Sequence, residues 1–169
     1  MGDKQCDGPS SQSVVNQLAD DVLEALAMKN EIRFLTTSIA PLLKVEQPPR
    51  LQALLKVLIS RIKATVLLLE GGDPRKLDSD VRQESHAHIV EALIKQSEFY
   101  AEVINHTNAD VRKCCVFALV EIHTALTSVM SSEDGTQLFV NEFLAKLNPS
   151  QQKLVDIYIK RKLDQQAQS

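Results

Sequence analysis

Asn108 to Met130 reads NADVRKCCVFALVEIHTALTSVM, and this stretch decides the fold. Asn108, Ala109 and Asp110 form a turn and N-cap signal. A short side chain with an oxygen can accept the free N–H groups of a first helical turn. The rest of the stretch holds neither glycine nor proline. Val111, Cys115, Ala118, Leu119, Ile122, Ala125, Leu126 and Val129 recur at spacings of three and four, which places them on one face of a helix. Val116, Phe117 and Val120 widen that face, so the helix must be covered on more than one side. Its basic residues Arg112 and Lys113 sit in the first turn, beside the preceding loop.

Working outward, the composition agrees with an all-α protein. The chain has 169 residues, enough for one domain with a buried core. Aromatics make up 4%, Trp is absent and there are 5 Gly. The net charge of −3 argues against a dedicated nucleic-acid binder, which would need a strongly basic face. Three Cys give no disulfide framework. Cys114 and Cys115 are helix neighbours and read as small core residues in a reducing compartment. No apolar run nears the length of a membrane span, and no signal peptide is evident.

Residues 1–12 are polar and read as disordered, with the domain over 13–165 and a polar tail at 166–169. Ser13 reads as the cap of a first helix that ends near Lys29, with Asp20, Asp21 and Glu24 on its solvated face. Asn30 is expected to break the chain and Glu31 to restart it. Pro41 should kink or end the second helix. Pro48 and Pro49 then launch a third helix, marked by Leu51, Leu54, Leu55, Leu58, Ile62, Val66 and Leu69. Residues 71–82, GGDPRKLDSDVR, read as a mobile polar loop. A fourth helix is expected from Gln83 to Asn105. The helix of the opening stretch follows. Ser131 to Gly135 reads as a turn, Leu138 to Leu147 as a short sixth helix, and Asn148-Pro149-Ser150 as the cap of a last helix.

About seven helices joined mostly by short turns give antiparallel neighbours. Three pairs repeat one plan: 31–45 with 49–69, 83–105 with 109–130, and 137–147 with 149–165. Such a stack of hairpins predicts an α-solenoid of HEAT-repeat type, with a closed bundle as the alternative.

NADVRKCCVFALVEIHTAL, followed after a gap by FLAKLNPSQQKLVDIYIKRK, resembles the C-terminal TOG-like domain of the CLIP-associated proteins, the CLASP family of microtubule regulators. The turn before Val111-Arg112-Lys113, the cap before Lys153-Leu154 and the closing Ile157-Tyr158-Ile159-Lys160-Arg161 carry the likeness. IAPLLKVEQPPRLQALLKVLISRI, Ile39 to Ile62, is similar to the family's preceding repeat. Cys114-Cys115 stands at the family's small pair, and His123 stands where an aromatic is usual. TOG domains usually carry a Trp in the first turn, and this chain has none. The resemblance implies a TOG-like fold and a non-enzymatic module that docks a microtubule-associated protein partner. It further implies a cytoplasmic, cytoskeletal location.

In a solenoid the turns inside the hairpins line up along one edge. That edge would gather Lys44 and Arg50, then Arg112 and Lys113, then Lys146 and Lys153. One basic pair per repeat suits an acidic surface such as tubulin, and direct tubulin binding that regulates microtubule growth or stability is the alternative function. A structural subunit of a larger cytoskeletal complex is a third. Arg112 could equally bond neighbouring helix ends. Lys160 and Arg161, with Lys162, form either a partner strip or a complement to a helix C-terminus.

Enzymatic motifs are missing. There is no phosphate loop, GxSxG, HExxH or CxxC. His86 and His88 point to different sides of a helix and make a poor metal pair. No cofactor, metal, nucleic acid, membrane or small-molecule substrate is expected.

Overall fold

The computed structural model describes the backbone of residues 11–70 and 79–168. The order is α1 (Ser11–Ile39), a 3-10 turn at Ala40–Leu42, α2 (Pro48–Glu70), α3 (Ser79–Lys95), α4 (Ser97–Val103), α5 (Ala109–Val129), α6 (Ser132–Glu142), a second 3-10 turn at Leu144–Lys146, and α7 (Pro149–Gln168). Among the described residues every regular element is helical.

Helix α5 is the centre, as its apolar width demands. It packs against α2, α4, α6 and α7, while α1 packs against α2 and α3. Val111, Cys115, Leu119, Ile122 and Leu126 are buried along α5. Leu51, Leu55, Leu58 and Ile62 are buried on α2, and Val155 and Ile159 on α7, the two helices that flank it. Burial of each such side chain is worth roughly 1.5–3 kcal/mol, so the seams of α5 carry much of the core. An aromatic cluster closes the α4–α6 side. Tyr100 and Phe143 lie 6.3 Å apart, and Phe143 stacks on Phe139 at 5.4 Å.

Polar links fix the outer helices. Lys95 and Lys29 both reach Glu91, at 2.6 and 3.2 Å. Their hydrogen bonds and charges hold its carboxyl well below the usual range, at about 2. Arg61 of α2 lies 3.6 Å from Glu31 of α1.

Several boundaries differ from expectation. Asn30 does not break α1, because Ala25, Ile32 and Ile39 continue one buried stripe past it. Asn30 is exposed and accepts from Arg33 at 3.0 Å, and an asparagine costs a helix only a few tenths of a kcal/mol. The expected helix 83–105 is interrupted at Gln96, with φ −97° and ψ 9°. The Gln96 amide oxygen accepts from Thr36 of α1 at 2.7 Å, a tertiary bond that helical periodicity does not encode. Helix α6 starts at Ser132 rather than near Leu138: Ser131 caps it by accepting from the Asp134 N–H, and Glu133 and Asp134 suit its positive end. Helix α7 runs on to Gln168, so most of the expected tail is helical. Pro41 does end the regular helix, inside the first 3-10 turn. The proposed mobile loop at 71–82 overlaps α3, which already includes residues 79–82. The proposed disordered segment 1–12 likewise overlaps α1, which begins at Ser11, ahead of the expected cap at Ser13; residues 1–10 and 71–78 lie outside the described residues.

Candidate protein-docking surface

Three turns meet on one edge. The first follows Leu42, the second runs from Ile104 to Asn108, and the third surrounds Asn148. His106 Nε2 lies 3.0 Å from the Leu43 carbonyl, while His106 Nδ1 accepts the Asn108 N–H at 3.0 Å. A nitrogen that accepts carries no proton, so the neutral ring bears it on Nε2 and donates to Leu43. Asn108 caps α5, accepting from the Asp110 and Val111 N–H groups. Asn105 accepts from Gln151 Nε2 at 2.9 Å, which joins the second turn to the third. Asn148 and Gln151 close a reciprocal capping box at the start of α7, with bonds of 2.8 and 3.0 Å.

The expected basic edge is only partly available on these turns. Lys44 and Lys153 are exposed, and no carboxylate among the described residues pairs with either. Arg50 is exposed beside Glu46, at 3.7 Å. Arg112 turns inward, and its Nη1 donates to the carbonyls of His106 and Thr107 at 2.8 and 2.9 Å. It binds the preceding turn, as arginines beside helix ends do. Lys146 donates to Ser97 Oγ at 2.6 Å and Glu98 at 2.8 Å, bridging to α4. Lys113 leans over the Phe117 ring, 5.7 Å from its centroid, which carries it toward another face.

The closing basic run divides in three. Lys160 pairs with Asp156 at 2.9 Å on the surface. Arg161 lies over the Tyr158 ring at 5.1 Å. Lys162 reaches back to Glu121 of α5 at 2.6 Å and to Thr124 at 2.8 Å. The run is not a helix C-terminus, because α7 continues past it.

Those last contacts border a groove of ≈ 790 Å³ floored by α5 and walled by α2 and α7. Lys56, Ser60 and Lys63 line the α2 wall, Phe117 and Val120 the floor, and Tyr158 and Arg161 the α7 wall. Phe117 and Tyr158 meet edge to face at 5.6 Å. The sequence reading absorbed Phe117 into the apolar face of its helix, but it is 40% exposed. Lys56 and Lys63 belong to none of the turn-edge pairs. Their signal was a polar stripe at helical spacing, 56-60-63, opposite the buried Leu55, Leu58 and Ile62.

Among the described residues Cys114, Cys115 and His123 lie in the core. Cys115 is fully buried and donates to the Tyr100 carbonyl at 3.2 Å, and burial pushes its thiol pKa far up. Burial also raises that of Cys114. Neither is set up as a nucleophile. His123 stacks edge to face on Phe139 at 5.2 Å, with its Nε2 3.1 Å from Thr136 Oγ1. Among the described residues no group of three His, Cys, Asp or Glu side chains could hold a metal. No described helix is long and apolar enough to cross a membrane. No protein-family model matches the chain, and neither a curated protein nor a solved structure does.

Proposed function

We propose that this chain is a non-enzymatic docking module, a TOG-like stack of HEAT-type hairpins that binds a microtubule-associated protein partner as the CLASP C-terminal domain does. One observation carries the reading: the hydrogen-bonded alignment of the three turns, from Leu43 through His106 and Asn105 to Gln151. A helical stack that fixes its turns side by side presents a rigid edge, and rigid edges suit partner recognition because little order is lost on binding. The succession of α2, α5 and α7 supports the stack over a closed bundle. The likeness of the Asn108–Leu126 and Phe143–Lys162 segments to the family supports the kind of partner and a cytoskeletal location.

Direct tubulin binding is the second reading, favoured by the exposed, unpaired Lys44 and Lys153 on that edge. The internal engagement of Arg112 and Lys146 weighs against it.

Co-sedimentation tests both. The purified chain is spun with stabilised microtubules, with and without a microtubule-associated protein fraction. Docking predicts pelleting only when that fraction is present. Pelleting with bare microtubules, lost on Lys44→Glu/Lys153→Glu and at raised salt, would establish the tubulin reading instead. A chain that stays in the supernatant throughout overturns both.

A further inference from the structure

We propose that the groove between α2 and α7 is a docking site for an acidic polypeptide segment that carries apolar side chains. The inference rests on the docking reading above but uses a different face from the turn edge.

Charge is the first ground. Lys56, Lys63 and Arg161 point into the groove from opposite walls, and no described carboxylate pairs with any of them. The one lining acid, Glu121, is already answered by Lys162. The whole chain carries a net charge of −3, so this concentration of unanswered positive charge runs against the average. Opposed cations across a concave wall focus their field into the space between them, which draws in and orients an acidic chain.

The floor is the second ground. Lys113, Phe117, Tyr158 and Arg161 form one line: cation, ring, ring, cation. The cations hold both rings in place from the ends; Phe117 is open to solvent and Tyr158 is half-buried beside it. An exposed Phe117 beside a half-buried Tyr158 in a concave, basic setting offers an apolar anchor between charge contacts, the arrangement found at interface hot spots. A plain polyanion would satisfy the lysines and leave the rings wet. A segment mixing Asp or Glu with Leu or an aromatic satisfies both. Val120 extends the apolar floor.

The test uses the full chain, isotope-labelled, titrated with a synthetic peptide of repeating Glu-Glu-Leu and followed by NMR. Repeats of Gln-Gln-Leu and of Glu-Glu-Ser serve as charge and apolar controls. The expected result is shifts centred on Lys63, Phe117, Tyr158 and Arg161, with affinity weaker by about tenfold or more for either control. Lys63→Glu/Arg161→Glu should weaken the Glu-Glu-Leu peptide by at least about tenfold, with Lys44→Glu/Lys153→Glu leaving it unchanged. Phe117→Ser gives a second variant, checked for folding by circular dichroism. No binding, shifts on the turn edge, indifference to the groove variants, or tighter binding of a single-stranded RNA would each overturn the groove. Groove binding in a chain that ignores microtubule fractions supports this inference and overturns the preceding reading. Partner binding without groove binding does the reverse.

Discussion

The imidazole of His106 joins the Leu43 carbonyl, 63 residues earlier, to the Asn108 N–H that begins the next helix cap. One ring thereby connects two turns and orders the cap of α5, the helix on which α2, α6 and α7 all pack. Replacing it with alanine removes both bonds and leaves the carbonyl of the buried Leu43 without this partner. A net hydrogen bond is worth about 1 kcal/mol, so His106→Ala should destabilise the chain by about 1–2 kcal/mol. Urea denaturation measures this. An unchanged midpoint would show that the turns are held by packing alone.

Gly135 supplies a sharper test. A Cβ added there would lie 2.8 Å from the Leu126 carbonyl oxygen and 2.8 Å from Thr127 Cα. Both are backbone of α5, which cannot move aside as a flexible side chain could. Glycine thus sets how closely α6 approaches α5. Gly135→Ala gains helix propensity, worth up to about 1 kcal/mol, but must push the helices apart, which costs about 1–3 kcal/mol. We expect net destabilisation of about 1–2 kcal/mol, with the largest amide shifts near Leu126 and Phe139. A more stable variant would mean that the helices separate freely.

The same glycine shows where the sequence was silent. SSEDG has the composition of a turn, but Ser131 serves as a helix cap and Gly135 lies inside α6, where it lets that helix approach α5 closely. Gln96 is the converse: nothing local marks a break, and its bond to Thr36 is made across the fold. Helix α5, by contrast, was legible from its cap through its buried face, because both signals lie within the helix itself. So was the cap at Asn148. The basic residues at the turns could be located but not their availability. Whether Arg112 faces outward or binds His106 and Thr107 depends on a turn geometry that spacing does not give. The groove was hidden for a related reason: Lys63, Phe117 and Arg161 come from three helices and have no common pattern in the chain.

Lys162 and Glu121 form a shielded pair. Their side chains are 26% and 11% exposed, and two bonds of 2.6 and 2.9 Å join them. Removing one partner strands the other in a poorly hydrated site, whereas replacing both with apolar groups removes the desolvation cost of both. Lys162→Met alone should cost about 2–3 kcal/mol, somewhat less than for a fully buried pair. Glu121→Met/Lys162→Met should recover to within about 1 kcal/mol of the parent. Thermal denaturation of the three proteins makes the comparison. Equal losses in the single and double variants would deny the coupling.

His123 gives the chain a dependence on pH whose sign follows from its surroundings. Burial, then the charge of Lys162, lower its pKa below the usual 6.5, with Asp156 opposing. Phe139 packs on the ring and Thr136 meets its Nε2. A group with a depressed pKa binds fewer protons in the folded state than in the unfolded one. Stability therefore rises with pH through this window. The contribution is complete above pH 6.5 and is lost as pH falls from there toward the folded-state value. His123→Phe keeps a ring against Phe139 and removes the titration, while the exposed Thr136 hydroxyl can turn to water. Melting temperature measured between about pH 7.5 and 5 should fall less steeply in that variant than in the parent. Parallel slopes would show that His123 does not carry the pH dependence.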